Sequence, residues 1–111
     1  MAEKDDLERV VEADELVDEI DVETTAAAGK RRPRARRYRI RIDRERHVVE
    51  VPKMTGRQIL TLAGRTPPEQ WMLSQKLHGG KVVTIGLDEV VDSQAPGVER
   101  FMTLPKDQTE G

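Results

Sequence analysis

The amino-acid sequence predicts a small α+β domain, in which one helix crosses a mixed β-sheet of four to five strands, behind a disordered N-terminal tail. Three observations support this. The chain has 111 residues, enough for one small domain but not for two full cores. Its three aromatic residues, the largest units of a small core, all lie between residues 38 and 101. In the same region, β-branched residues form short alternating runs that end at Gly or Pro.

The net charge of −2 is the sum of three unlike blocks. Residues 1–23 carry eleven acidic and two basic side chains, and residues 24–37 carry six basic and no acidic ones. Residues 38–111 are balanced, with eleven basic and ten acidic side chains. Charge blocks without aromatic residues are typical of solvated tails. We therefore predict that residues 1–37 are a disordered acidic-then-basic tail and that the folded domain covers residues 38–104.

Two segments of this tail have a pattern of their own. Residues 15–22 mix apolar and acidic residues, so this stretch can remain solvated, fold on a partner or add to one as a strand. Lys30–Arg37 is the densest basic run of the chain. If its six basic side chains each contacted a phosphate, the run would bind nucleic acid in a salt-sensitive way. However, no aromatic residue interleaves the run, and the acidic block competes for its arginines. A solvated linker or docking segment is favoured. The alternative is that the folded domain is an adaptor whose basic run binds nucleic acid.

The folded region opens with a predicted β-hairpin. Apolar and charged residues alternate over Tyr38–Ile42, as in a half-buried strand. Asp43–Arg46 is a polar turn, and the β-branched run His47–Val51 forms a second strand that Pro52 ends. The side chains predicted to face the core are Ile40, Ile42, Val49 and Val51.

A short helix follows the hairpin. Thr55 and Gln58 have the spacing of a capping box, in which each side chain bonds to the backbone of the other residue. Met54 before the cap and Ile59 after it supply the accompanying apolar pair. Gly64 lies where a helix ends in a left-handed residue. The predicted helix therefore has about two turns.

The remaining elements are short strands. Trp71–Leu77 and Lys81–Ile85 flank a glycine turn, and Gly86–Asp92 is predicted to be a loop with a short helical turn. Val98–Leu104 is the last strand, and Pro105 ends it. No apolar residue follows in positions 106–111, so residues 105–111 are predicted to be a flexible tail.

Composition argues against several kinds of site. Without Cys the chain has no disulfide, no Cys-ligated zinc and no thiol nucleophile. His47 and His78 are too few for a histidine-rich metal site and have no nucleophile at a suggestive spacing. No apolar run approaches the ~20 residues of a membrane span, and the acidic start is unlike a secretory signal peptide. We therefore expect a cytoplasmic protein that is not an enzyme and has no catalytic residue, metal or cofactor.

A hairpin that leads into a helix crossing a mixed sheet is the β-grasp arrangement. Over residues 38–104, about 60% of the chain, the sequence resembles the bacterial multi-ubiquitin family of ubiquitin-like domains. The resemblance leaves residues 1–37 unexplained. It is carried by Tyr38–Asp43, Thr55–Leu60, Ala63–Gly64, Gly86–Val91 and Pro96–Phe101. In addition, Pro67–Gln70 is similar to the Pro-Pro-Asp-Gln stretch that follows the helix in eukaryotic ubiquitin.

The resemblance implies that the chain is a protein modifier. Such modifiers are adenylated at a C-terminal glycine, passed to enzyme cysteines and joined to target amines, and the bacterial systems also encode deconjugating proteases and are linked to phage defence. It implies Gly111 as the conjugating residue, at the end of a tail that extends at most about 23–25 Å from Pro105. The residues implied to be read by the enzymes are Pro105, Lys106, Asp107, Gln108, Thr109 and Glu110. The possible acceptor lysines for a second modifier are Lys53, Lys76 and Lys81.

The sequence also departs from familiar modifiers. They end in Gly-Gly, whereas this chain ends in Glu110–Gly111, and Lys106 is the only basic residue of its tail. In place of the apolar recognition patch of ubiquitin, the third strand offers Ser74, Gln75 and Lys76. We therefore expect a cognate activating enzyme and poor recognition by proteins that bind eukaryotic ubiquitin.

Overall fold

A computed structural model of the chain describes residues 17–106, and within them it contains eight β-strands and two short α-helices. Single 3₁₀ turns occupy Ala26–Ala28 and Pro68–Gln70. The strands are β1 (Val17–Asp21), β2 (Ala35–Ile42), β3 (Glu45–Val49), β4 (Lys53–Thr55), β5 (Trp71–Leu77), β6 (Val82–Ile85), β7 (Val90–Asp92) and β8 (Val98–Pro105). The helices are α1 (Val22–Thr25) and α2 (Gly56–Leu62).

Six strands form one mixed sheet. Its order is β1-β2-β8-β5-β6, with β3 paired to β2 as well, and β4 and β7 form a separate antiparallel pair. The predicted mixed sheet is confirmed, but it has more strands than the four to five expected, and a second helix is present. Strands β4 and β7 have three residues each, too few to show an alternating pattern. Strand β1 lies in the segment that was predicted to be a tail.

The core lies between the sheet and α2. Tyr38, Phe101 and Leu60 are among its least exposed side chains. Ile40, Ile42 and Val49 are buried as predicted. The prediction that Val51 faces the core is wrong, because 51% of its surface is exposed. The turn between β2 and β3 has only two residues, and its first residue, Asp43, has a φ of 56°. Strand β3 therefore begins at Glu45 and ends at Val49. Val51 follows the end of that strand, where the alternation no longer applies.

The predicted start and end of the helix are confirmed. The backbone N–H of Gln58 donates to Thr55 Oγ1 at 3.2 Å, and the Thr55 N–H donates to Gln58 Oε1 at 2.9 Å. Gly64 follows the helix with a φ of 77°, the left-handed conformation that glycine adopts without strain. The loop predicted over Gly86–Asp92 is partly a strand, since β7 pairs with β4 there. This pairing holds the loop against the beginning of α2.

Residues 17–37 are an ordered part of the domain, which corrects the predicted tail over residues 1–37. Strand β1 pairs in parallel with β2, with Ile20 opposite Tyr38. Ile20, Val22 and Ala26 are buried in the fold. The predicted domain boundary at residue 38 is therefore too late by about twenty residues. Composition pointed to a tail because charge blocks without aromatic residues are typical of solvated segments, whereas here the ion pairs between the two blocks accompany buried apolar side chains, Ile20 and Val22. Residues 1–16 of the predicted tail lie outside the described residues.

Two kinds of feature are absent from residues 17–106. No helix there is long and apolar enough to cross a membrane. No group of three or more His, Asp and Glu side chains in this range is arranged to hold a metal ion.

Candidate functional site at the end of the last strand

Strand β8 carries the chain through the middle of the sheet to the surface. It lies between β2 and β5, and its last pairing with β5 places Pro105 opposite Trp71. Pro105 therefore belongs to the strand rather than to the flexible tail predicted to begin there. Lys106 follows it and is exposed. The other tail residues of the prediction, Asp107, Gln108, Thr109, Glu110 and Gly111, lie outside the described residues, so their roles stay predictions.

Trp71 and Arg65 form one wall of this exit. The Arg65 guanidinium carbon lies 5.2 Å from the centroid of the Trp71 ring, within the range of a cation–π contact. Arg65 reaches this position because α2 ends at the left-handed Gly64, and the Arg65 N–H then donates to the carbonyl of Leu60 at 2.9 Å. The end of the helix thus places a positive charge beside the point where the chain leaves the sheet.

One carboxylate ties this exit to the hairpin. Asp43 Oδ1 accepts the backbone N–H of Thr103 at 2.9 Å, and Asp43 Oδ2 accepts the Thr103 hydroxyl at 2.5 Å and the Arg65 Nη2 at 3.1 Å. Burial acts to raise the pKa of Asp43, but the hydrogen bonds from Thr103 and Arg65 outweigh it, so the pKa lies below its usual range. Asp43 is therefore a fixed negative charge at neutral pH.

A second, exposed ion cluster borders the exit. Arg57 Nη1 lies 2.5 Å from Glu69 Oε2, and Arg57 Nη2 lies 3.6 Å from an oxygen of Asp88. The hydrogen bond from Arg57 lowers the pKa of Glu69, and the positive charge of Lys106 lowers it slightly further. The same bond raises the pKa of Arg57. Charged groups of both signs therefore surround the chain where it emerges.

An apolar groove of about 350 Å³ opens beside these charges, between β5 and the end of β6. Its lining is mostly aliphatic or aromatic, with one ammonium group at the end where the chain leaves. The lining residues are Trp71, Met72, Leu73, Thr84, Ile85, Gly86, Leu87 and Lys106.

The outer face of the sheet carries an apolar patch that the sequence reasoning missed. Leu73 and Phe101 are buried, so their neighbours on β5 and β8 point to the opposite face. There Met72 lies opposite Leu104, and Met102 lies opposite Ser74. We call Met72, Met102 and Leu104 the outer patch. The prediction considered Ser74, Gln75 and Lys76 along one strand, whereas the patch is assembled across two strands.

The three candidate acceptor lysines occupy different strands or turns. Lys53 opens β4 and is exposed, and Lys81 is exposed just before β6. Lys76 lies on β5, and its ammonium is 3.8 Å from a carboxylate oxygen of Glu99. Lys76 and Lys81 belong to one hairpin, in which Lys76 lies opposite Val82, whereas Lys53 lies on the separate β4–β7 pair. Their role as acceptors stays a prediction.

The basic run Lys30–Arg37 is largely used within the fold. Arg32 is only 4% exposed, and burial lowers its pKa. Arg31 pairs with Asp92 at 3.0 Å, and Arg36 and Arg37 pair with acidic residues of β1. The expectation that neighbouring acids compete for these arginines is thus confirmed. Of the six basic side chains of the run, Arg32 alone is buried, and binding of nucleic acid by the run stays a prediction.

The fold and the matched sequence together identify the family. A family profile for multiubiquitin matches residues 38–106, from Tyr38 of β2 to the residue after β8. This chain belongs to the multiubiquitin family. The resemblance found in the sequence is therefore confirmed, and the multiubiquitin domain spans 69 of the 111 residues. No curated protein and no solved structure matches the chain. Strand β1, helix α1 and Arg32 all precede the matched region.

Proposed function

We propose that this multiubiquitin-family chain is a bacterial protein modifier, joined to its targets through the carboxylate of Gly111. The observation that carries the proposal is the course of β8. The last strand runs through the centre of the sheet and the chain leaves the domain beside Trp71, with five residues after Lys106 up to and including Gly111. Whether Gly111 is the encoded end or is exposed by a protease, the chemistry is the same.

The proposed chemistry takes place in three steps, each on an enzyme partner. The Gly111 carboxylate attacks the α-phosphate of ATP, which releases pyrophosphate and leaves an acyl adenylate. An enzyme thiolate displaces AMP to form a thioester, and a target amine displaces the thiol to form an amide. Glycine suits this role because it has no Cβ to block a narrow channel. The chain itself supplies the acyl group and no catalytic residue.

The distance from the domain to the reacting carbon fits such a channel. Six residues from Lys106 to Gly111 extend at most about 20–22 Å. The reacting carboxylate can therefore enter a recessed active site while the folded domain remains outside it. The tail is entirely polar, so it has no apolar side chain that favours packing back on the domain.

The surface around the exit supports recognition by a cognate enzyme. It combines an aromatic ring stacked against a guanidinium, an exposed ion cluster and the outer patch, of which Leu104 is 44% exposed. Central apolar contacts with charged groups at the rim are the usual composition of a protein interface. The proposed partners are an activating enzyme, a transfer enzyme, a deconjugating protease and target proteins in the cytoplasm, as parts of an antiviral defence system.

The test is conjugation with the enzymes encoded beside this chain. Purified protein is incubated with those enzymes and ATP, and mass spectrometry locates an ester or isopeptide bond at Gly111. Deleting Gly111 or making Gly111→Val should abolish the adduct, with unfolding temperature unchanged. Glu50→Gln, at an exposed position after β3, is the matched control and should conjugate like the parent protein. Conjugation by the deletion variant, or no adduct with the parent protein, would disprove the modifier function.

A further inference from the structure

Residues 17–26, which we call the arm, form a unit that is separate from the surface that receives it. The arm consists of β1, α1 and the first residue of the following 3₁₀ turn. The receiving surface, which we call the acceptor groove, is formed by the edge of β2, by Arg32 and by residues 93–98. Strand β1 of the arm lies at the edge of the sheet, so the arm can leave without separating any other pair of strands.

Apolar anchors hold the arm in the groove. Val22 is fully buried, and Ile20 and Ala26 are 7% and 2% exposed. Ile20 lies opposite Tyr38, a core residue that belongs to the acceptor groove. An empty groove therefore exposes core side chains to water, which is unfavourable.

Arg32 makes the empty groove still less stable. Its guanidinium donates to the carbonyl oxygens of Ser93, Ala95 and Val98 in the domain. It also donates to the carbonyl of Val22 at 2.9 Å and to Thr25 Oγ1 at 2.6 Å in the arm. Without the arm, the guanidinium loses two fixed partners and must be solvated by water instead, so a charged group and apolar core side chains share the opened surface. A vacated groove will therefore take up another arm.

Charge complementarity specifies which segment fits. The arm presents acidic groups along the arginines of β2 and β3, in pairs that run the length of the contact. These pairs are Asp18 with Arg36 and Arg37, Glu19 with Arg37 and Arg39, Asp21 with Arg39, and Glu23 with Arg41 and Arg46. An acidic strand with apolar residues at the positions of Ile20 and Val22 fits this groove, and the chain's own arm has that composition.

The connection between arm and domain has the properties of a hinge. Residues 27–30 are all exposed, and Gly29 is left-handed with a φ of 69°. The Gly29 N–H to Ala26 carbonyl bond within this segment is long, at 3.4 Å. Since the hinge makes few contacts, opening it loses little, and all arm contacts re-form in a second copy.

We propose that the acceptor groove binds the arm of a second copy of this chain, giving a strand-exchanged dimer. The four hinge residues extend at most about 13–14 Å, so both grooves must lie side by side in a closed, two-fold dimer. Intramolecular binding dominates in dilute solution, because a short connection gives an effective concentration in the millimolar range. The strand-exchanged dimer becomes the main species as the protein concentration approaches this effective concentration.

The test uses full-length chains with reversed charges. The arm variant carries Asp18→Lys, Glu19→Lys and Glu23→Lys, and the groove variant carries Arg37→Glu, Arg39→Glu and Arg41→Glu. In each variant alone, arm and groove repel each other. When the two are mixed, exchange pairs the native arm with the native groove and the reversed arm with the reversed groove. A single chain with all six substitutions is the matched control, and it should fold as a monomer.

Native mass spectrometry distinguishes the species by mass. In an equal mixture at low salt, the heterodimer should exceed either homodimer about a hundredfold, and ~1 M salt should largely remove this preference. Gly29→Pro provides a second readout, since proline cannot adopt the positive φ of a closed hinge, and it should raise the dimer fraction of the otherwise native chain. Two folded variants that stay monomeric when mixed, or a Gly29→Pro chain that is monomeric near ~1 mM, would overturn the proposal.

Discussion

Asp43 joins three parts of the chain through one carboxylate. It lies in the β2–β3 turn and accepts hydrogen bonds from Thr103 of β8 and from Arg65 after α2. Its backbone N–H also donates to the carbonyl of Phe101 at 2.8 Å. The hairpin, the helix end and the strand that leads to the exit therefore share one polar contact, and part of its strength depends on the negative charge.

We predict that Asp43→Asn lowers the free energy of unfolding by about 1–2 kcal/mol near pH 7. Asn tolerates the positive φ and still accepts the Thr103 N–H, so the variant removes mainly the charge. The folded-state pKa of Asp43 is lowered, so this stabilisation is present above the unfolded pKa of ~3.9 and is lost as the pH falls through the folded pKa. Urea unfolding from pH 7 to pH 3 should show the two proteins converging in acid. An equal difference at all pH values would contradict a charge effect.

Arg32 is the other residue on which several segments depend. We predict that Arg32→Met lowers the free energy of unfolding by about 3 kcal/mol, because three buried carbonyl oxygens and one part-buried carbonyl oxygen lose their donor. Arg34→Met is the matched control, since Arg34 is exposed and forms no ion pair within residues 17–106. It should change stability by no more than about 0.5 kcal/mol. Similar losses in both variants, measured by thermal or urea unfolding, would show that Arg32 acts only through surface charge.

At the level of elements, α2 is positioned by the loop before β7. The N–H of Gly56 donates to the Glu89 carbonyl, and the N–H of Arg57 donates to the Leu87 carbonyl at 2.8 Å. The backbone N–H groups at the start of α2 therefore find acceptors in the capping box and in backbone carbonyls about thirty residues away in sequence. This close approach leaves no room for a side chain at Gly56.

We predict that Gly56→Ala lowers the free energy of unfolding by about 2–3 kcal/mol. A Cβ at this position would lie 2.3 Å from the Gly86 carbonyl oxygen, a backbone atom that cannot move aside cheaply. This clash outweighs the gain of about 1 kcal/mol that Ala brings to a helix over Gly. Gly86→Ala is the matched control, because its Cβ meets nothing closer than 3.8 Å. A stabilised Gly56→Ala protein would show that the loop is not held against the helix.

At the level of the whole molecule, the folded unit is larger than the region matched by its family. Arm residues are part of one continuous core with residues of β2, α2 and β8. The sheet therefore gains a strand, and the basic run beside it becomes structural. The folded unit has this ordered arm in front of β2 and the exit after β8.

We predict that hydrogen exchange will find the arm protected in the free, full-length protein. The Val17 N–H donates to the Arg34 carbonyl at 3.0 Å, and β1 continues this parallel pairing to Asp21. Amides of β1 should exchange more slowly than those of the exposed hinge by at least about tenfold, because they open only when the arm leaves. Exchange at the unprotected rate throughout residues 17–26, in dilute native protein, would mean that the arm is not docked.

The sequence by itself determined the elements that depend on neighbours along the chain. The alternation of Tyr38–Ile42, the Thr55–Gln58 capping box and the left-handed Gly64 were all predicted correctly. Each is a local pattern, set by the two-residue period of a strand or by the hydrogen-bonding needs of a helix end. The last strand was also predicted, apart from Pro105, which extends the strand by one residue.

Only the tertiary structure decided where distant segments meet. The burial of Arg32 depends on carbonyl groups more than sixty residues away, and the outer patch joins Met72 to Leu104 across two strands. The sequence allowed residues 15–22 to add to a partner as a strand, but it did not show that the partner strand is β2 of the same chain, because the acidic groups meet the arginines of β2 only in the folded domain. Such pairings leave no period in the sequence, since they depend on which surfaces the whole fold brings into contact.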